Sequence, residues 1–199
     1  MCGIFGWVSH SANLTPKNIA NARQMTGLLH HRGPDAGGEW LTNSVYMGHR
    51  RLSIIDRSPA ANQPLQSSEG RYILSSNGEI YNYLELRDEL AQHGAIFTTQ
   101  SDTEVMLNAL AIWGDEALNR FDGMFAGALH DCKSGRHVIF RDPVGQKPLY
   151  YYTDDHGLIY ASELRAIIGL TNLSWRLDRG AFERFLTHGY YCGEDTPIE

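Results

Sequence analysis

Cysteine is scarce in this chain: its 199 residues contain only Cys2, Cys132 and Cys192. Three scattered thiols cannot make the framework of a disulfide-held domain, and such usage suits a reducing compartment. An excess of positive charge is also missing. Seventeen Lys and Arg stand against 23 Asp and Glu, a formal net charge of −6, and the one basic cluster, His49-Arg50-Arg51, is short and runs straight into apolar residues. An electrostatic surface for nucleic acid is therefore not expected. No apolar run is long enough to cross a bilayer, and the first twenty residues lack a basic segment followed by an apolar one. No membrane partner is expected, and the cytoplasm is the expected compartment. The nine histidines include no i, i+4 pair and no Cys-x-x-Cys partner, and the nearness of Cys132 to His137 reads as accidental, so no metal is expected.

What is present suits one core. The chain is 42% hydrophobic and 20% charged, enough for a single globular domain. Gly3 to Val8 reads as a buried strand. Thr15-Pro16 reads as a helix start, with Thr15 as N-cap and Ile19, Ala22, Met25 and Leu29 at helical spacing, up to a stop before Arg32-Gly33-Pro34-Asp35. Val45 to His49, Leu52 to Ile55 and Arg71 to Leu74 read as strands among turn residues. Asn82 with Glu85, and Ser101 with Glu104, look like capping boxes opening helices that end at Gly94 and Gly114. Two hairpins follow, Met124–His130 with Arg136–Phe140 and Leu149–Tyr152 with Leu158–Ala161. Later helices start at Ser162 and Asp178, and His188 to Cys192 reads as irregular. Blocks of hairpins and helices, rather than repeated βαβ units, give an α+β layered sandwich.

Several polar residues admit two readings. Cys2 follows the initiator Met1. It is either a small buried apolar residue or, once Met1 is removed, a nucleophile whose own α-amine supplies the activating base. Asn77-Gly78 is either a tight turn or a pair of donors suited to an oxyanion. Asp102 suits the first turn of any helix, unless a ligand amine lies beside it. Arg51 is either a surface cation or a fork for a carboxylate.

Taken together and in order, Met1-Cys2-Gly3-Ile4-Phe5-Gly6, His31-Arg32-Gly33-Pro34-Asp35, Arg51-Leu52-Ser53-Ile54-Ile55, Asn77-Gly78-Glu79-Ile80-Tyr81-Asn82, Ser101-Asp102-Thr103-Glu104 and Arg141-Asp142-Pro143-Val144-Gly145 resemble the class II glutamine amidotransferases. The match is closest to the glutaminase domain of glutamine-hydrolysing asparagine synthetases and covers nearly the whole chain. The resemblance implies a four-layer αββα sandwich of the N-terminal-nucleophile hydrolase type over residues 1–199, with the C-terminal synthetase domain absent from this chain. It implies that Cys2 attacks the carboxamide of L-glutamine while Asn77 and Gly78 hold the oxyanion. It also implies that Arg51 clamps the substrate carboxylate, that Asp102 and Glu79 face its ammonium, and that Leu52, Ser53, Ile54 and Ile55 line the pocket. Arg32 and Asp35 would brace the loop beside Cys2. No cofactor is implied here, since ATP and Mg belong to the synthetase domain, to which ammonia would pass. A homodimer is compatible with the resemblance. Three other readings are an amidotransferase serving a sugar phosphate or phosphoribosyl pyrophosphate, a non-catalytic scaffold, and a cysteine peptidase with a histidine base.

Overall fold

The computed structural model describes residues 1–10, 13–170, 176–191, 193 and 196–198. Cys192, and with it the end of the irregular 188–192 reading, lies outside the described residues. Among the described residues, nine strands form two antiparallel sheets. The first has the order β2 (Ala36–Leu41), β3 (Val45–Arg51), β1 (Gly3–Ser9), β9 (Gly157–Ala161), β8 (Tyr150–Asp154). The second has the order β4 (Leu65–Gln66), β5 (Tyr72–Ile80), β6 (Gly123–Asp131), β7 (His137–Arg141). Helices α1 (Pro16–Leu28) and α4 (Leu164–Ile168) pack on the outer face of the five-stranded sheet, and α2 (Tyr83–Gln92) and α3 (Asp102–Trp113) cover the outside of the other. The layers run αββα, as expected. A fifth helix, α5 (Arg179–His188), follows these layers and is capped by Asp178.

Three apolar clusters hold the layers together. Leu74, Leu90, Val105, Leu110 and Phe125 bind α2 and α3 to the smaller sheet, while Phe5, Ala22, Leu29 and Ile167 bind α1 and α4 to the larger one. Between the sheets lie Ile4, Val45, Met47, Ile73, Ala128 and Tyr160, all nearly solvent-free. Each large side chain buried there contributes about 1.5–3 kcal/mol.

Local chemistry explains where the elements start. Thr15 caps α1 in a capping box with Asn18, and Pro16 takes the first turn. Ser101 Oγ accepts from Glu104 N and caps α3. The return half of that box is absent, because the buried Glu104 carboxylate accepts instead from the N–H and hydroxyl groups of Thr98 and Thr99. Asn82 caps nothing. Its amide donates to Arg120 O and its carbonyl accepts from Asp122 N, so it pins the loop before β6 while α2 starts without a side-chain cap.

Three further readings need correction. Leu52 to Ile55 is not a strand but a loop, since its backbone bonds are spent on Cys2 and Asp35 rather than on a neighbouring strand. Asn77-Gly78 is not a turn; it lies inside β5. Residues 36–41, read as loop, form β2, an edge strand paired along its length with β3.

The space between the sheets is unusual in holding neutral histidines. Burial pulls His49 down to about 4 and His137 to about 3, and lowers His130 as well. His137 packs between the rings of His130 and Tyr160, and Trp40 lies against His130. Unfolded histidines titrate near 6.5, so below that pH the unfolded chain binds protons that the native state refuses, and stability falls as pH falls. At pH 5 the loss is about 2 kcal/mol from each of His49 and His137. The guanidinium unfolding midpoint is therefore expected to drop clearly between pH 7 and pH 5; an unchanged midpoint would show that these histidines are protonated in the fold.

Candidate active site

Cys2 precedes β1 by one residue, and β1 lies in the centre of its sheet. Its thiol sits against the start of the 52–55 loop. Leu52 N lies 3.4 Å from Sγ, and Sγ lies 3.7 Å from Leu52 O. Arg32 Nε donates to Cys2 O at 2.9 Å while its Nη1 reaches Glu163, and Asp35 accepts from Ser53 N at 2.8 Å. These two residues fix the chain on either side of the thiol. Gly33 is required between them, since a Cβ there would lie 2.3 Å from the Arg50 backbone.

Across the cleft, β5 supplies the donors. Strand β4 pairs only with Ile73 and Leu74, so from Ser76 onward one edge of β5 is uncovered. The antiparallel ladder alternates the direction of N–H groups. Asn77 faces β6 with its backbone, while Ser76, Gly78 and Ile80 turn theirs to the open edge, opposite a Phe125 whose own N–H and C=O go to Asp142. Gln63 Oε1 takes Ser76 N at 2.6 Å and Asp102 Oδ2 takes Ile80 N at 3.1 Å. The Gly78 N–H between them meets no acceptor among the described residues. Asn77 is 1% exposed, and its Nδ2 is buried with no partner. An unmet buried donor costs about 1–3 kcal/mol, and the strand carries two donors with no acceptor among the described residues. Glycine at 78 follows from crowding rather than from a turn, because a Cβ would lie 2.1 Å from Met124 O.

The cleft so formed is lined by Cys2, Arg51, Leu52, Ile54, Ile55, Asn77, Gly78, Glu79 and Asp102. Of the residues that the resemblance assigns to catalysis or substrate binding, Ser53 alone stands outside this lining. It faces a neighbouring groove with Asp35 and Arg57. Arg51 is nearly buried, and its guanidinium donates to Ser58 O, Asp56 O and Asn62 Oδ1, which places a fixed positive charge in the wall. Burial raises the Asp102 carboxyl, with a further push from Glu79, against the lowering effect of Ile80 N–H. Burial also pushes the Cys2 thiol up, more than the Leu52 hydrogen bond, the amino terminus and Arg51 lower it. The thiol is therefore protonated at neutral pH and needs a base to become a nucleophile.

Gln63, Ser76, Thr103, Met124 and Lys147 also line the cleft, and sequence reading had not singled them out. Ser76 adjoins the motif that begins at Asn77, and Thr103 lies inside the Ser101-to-Glu104 motif. Lys147 ends a loop held by the buried Asp142, which accepts from Gln146 N and Lys147 N; that loop starts at the Arg141-to-Gly145 motif. Gln63 and Met124 carried no local signal. Among the described residues no group of three His, Cys, Asp or Glu is placed to hold a metal ion. No described helix is long and apolar enough to cross a membrane.

A family model for the glutamine amidotransferase domain matches residues 1–199. The chain belongs to this family. A Mycobacterium tuberculosis protein provisionally named as a glutamine-hydrolysing asparagine synthetase is 42% identical over 98% of this chain and 32% of its own length. Glutamine-hydrolysing asparagine synthetase 1 of Bacillus subtilis is 38% identical over 94% of this chain and 29% of its own. Asparagine synthetase B of Escherichia coli is 38% identical over 84% and 30%. The chain thus spans about a third of the length of these relatives. Among solved structures, the glutamine phosphoribosylpyrophosphate amidotransferase from B. subtilis, complexed with ADP and GMP, superposes with a TM-score of 0.70 over 84% of this chain and 43% of that one. At 22% identity that likeness concerns the fold alone.

Proposed function

We propose that this amidotransferase domain hydrolyses L-glutamine to glutamate and ammonia at the Cys2 cleft. One observation carries the reading: a single cleft collects a protonated thiol, two unmet donors on β5, a buried cation and two carboxylates. With Met1 removed, the Cys2 α-amine takes the thiol proton, directly or through water, and Sγ attacks the side-chain carbonyl carbon of glutamine. The carbonyl oxygen becomes an oxyanion between Asn77 Nδ2 and Gly78 N–H. The carbon–nitrogen bond then breaks, ammonia leaves with the proton returned by the amine, and a γ-glutamyl thioester remains. Water adds to the thioester, the carbon–sulfur bond breaks, and glutamate departs as the thiol is restored.

Selectivity for the free amino acid comes from its two charges. Arg51 holds the α-carboxylate, Asp102 and Glu79 hold the α-ammonium, and the Leu52–Ile55 loop walls the pocket. A glutamine inside a peptide offers neither charge. The relatives' names support asparagine synthesis as the destination of the ammonia. A synthetase domain beyond residue 199 would bind ATP and Mg and receive the ammonia, and the relatives' greater length supports that partner. The cytoplasm suits this chemistry, with Cys2 and Cys132 both free thiols.

The clamp is tested by kinetics. Arg51→Lys is expected to raise KM for glutamine severalfold or more, because an ammonium cannot replace the planar fork. Asp102→Asn is expected to do the same by removing the countercharge. Unchanged KM in both variants would place the clamp elsewhere.

A further inference from the structure

His49 sits on β3 as the cross-strand partner of Ile4, two residues before Arg51 and beside the strand that follows Cys2. It is 1% exposed, so its position beside Arg50 and Arg51 in the sequence does not make it part of a basic surface. Its Nε2 lies 3.0 Å from Ser76 O, on the other sheet. A carbonyl only accepts, so Nε2 carries the hydrogen and the ring is held in one tautomer, leaving Nδ1 buried and without a partner. Among the described residues this is the one hydrogen bond that joins a strand of one sheet to a strand of the other.

Its acceptor matters because of where it lies. Ser76 C=O belongs to the peptide unit that ends at Asn77 N, on the β5 edge that β4 leaves uncovered. Gln63 takes the N–H of the same residue. Ser76 is therefore gripped at both backbone groups, by Gln63 from the preceding loop and by His49 from the sheet that carries the nucleophile. Only the second grip relates β5 to β1 and β3.

Resting on the proposed glutamine hydrolysis, we infer that His49 is a positioning residue: by donating to Ser76 O it sets the distance between the Asn77–Gly78 donors on one sheet and the Cys2 thiol on the other. It touches neither substrate nor thiol. Burial holds it neutral, with its pKa at about 4, so it stays a donor throughout the working pH range. Displacement of a catalytic group by about 1 Å can cost on the order of 10²-fold in rate.

The test uses protein freed of Met1 and compares His49→Leu, His49→Gln and His49→Asn. Glutamine keeps an amide donor at about the reach of Nε2, whereas asparagine keeps a polar amide that is too short. The leucine and asparagine variants are expected to lose about 10–100-fold in kcat with KM within about twofold, and the glutamine variant to recover most of it. The γ-aldehyde of glutamate, which takes up the Cys2 thiol as a hemithioacetal and needs the same oxyanion donors, should lose inhibition in step with kcat/KM. Alkylation of Cys2 by iodoacetamide, which makes no oxyanion, should keep its rate, and the pH profile should not move. Equal kcat in the Gln and Asn variants, or a parallel loss in iodoacetamide reactivity, would overturn the positioning role. If the leucine variant does not fold, the Gln and Asn pair decides. A parent protein that releases no ammonia and forms no adduct at Cys2 would overturn the proposed function itself, and this role with it.

Discussion

Cys2→Ala is expected to abolish ammonia release from glutamine, a loss of order 10⁴-fold or more, while Tm stays within a few degrees of the parent. The two outcomes follow from different properties of one residue. The thiol forms the covalent bond to the substrate, so no neighbouring group can replace it. Its contribution to packing is small: Cys2 is half-buried, before the first paired residue of β1, and its Sγ contacts the backbone of Leu52 rather than one of the apolar clusters. Circular dichroism and thermal melts on the same preparation separate lost chemistry from lost fold. Residual activity above one-hundredth of the parent would remove Cys2 from the mechanism.

Retention of Met1 is expected to cost nearly as much, at least about 10²–10³-fold, the usual worth of a positioned general base. With Met1 in place the Cys2 nitrogen is an amide and cannot accept a proton. Met1 also lines the cleft, with 55% of its surface exposed and its sulfur 4.0 Å from Arg32 Nη2. It therefore occupies substrate space, yet an aminopeptidase can reach it with little packing lost. In the processed protein kcat/KM should rise with pH through an apparent ionisation at about 7–8, the range of a free α-amine. Burial pushes the thiol up, and in the processed protein the observed value belongs to the coupled pair of thiol and amine. Equal rates with and without Met1 would refute the relay.

Much of the fold was legible because its signals are local. Thr15-Pro16 and Ser101 place their own helix starts through bonds within three residues, and the two later hairpins are bounded by turn residues that need no tertiary partner. The misreadings share a cause. Asn77-Gly78 has the composition of a turn, but its glycine answers the approach of β6, a contact 46 residues away in the chain. Leu52 to Ile55 is a mostly apolar run ending in two β-branched residues, but the thiol and Asp35 hold its backbone. β2 contains Gly37 and Gly38, which weaken a strand signal, and it exists because β3 offers a paired edge.

The candidate site was legible to a similar degree and for a similar reason. Residues of the reactive kind cluster in short motifs, so Cys2, Arg51, Asn77, Gly78, Glu79 and Asp102 stood out before any geometry was known, and the structure gathers them at one cleft. Residues that act through backbone groups did not stand out. Gln63 accepts from Ser76 N and His49 donates to Ser76 O, yet neither carries a mark in sequence, and His49 lay hidden in what read as a basic patch.

The central claim is that glutamine is opened by Cys2 through a thioester, and the most direct measurement is to look for that species. Met1-free protein is mixed with glutamine, quenched in acid within a turnover, and read by intact and peptide mass spectrometry. The account predicts an increment of one γ-glutamyl group on the peptide that begins at Cys2, absent from Cys2→Ala and from protein retaining Met1. Steady ammonia release with no such increment, or an increment on Cys132 or Cys192, would contradict it.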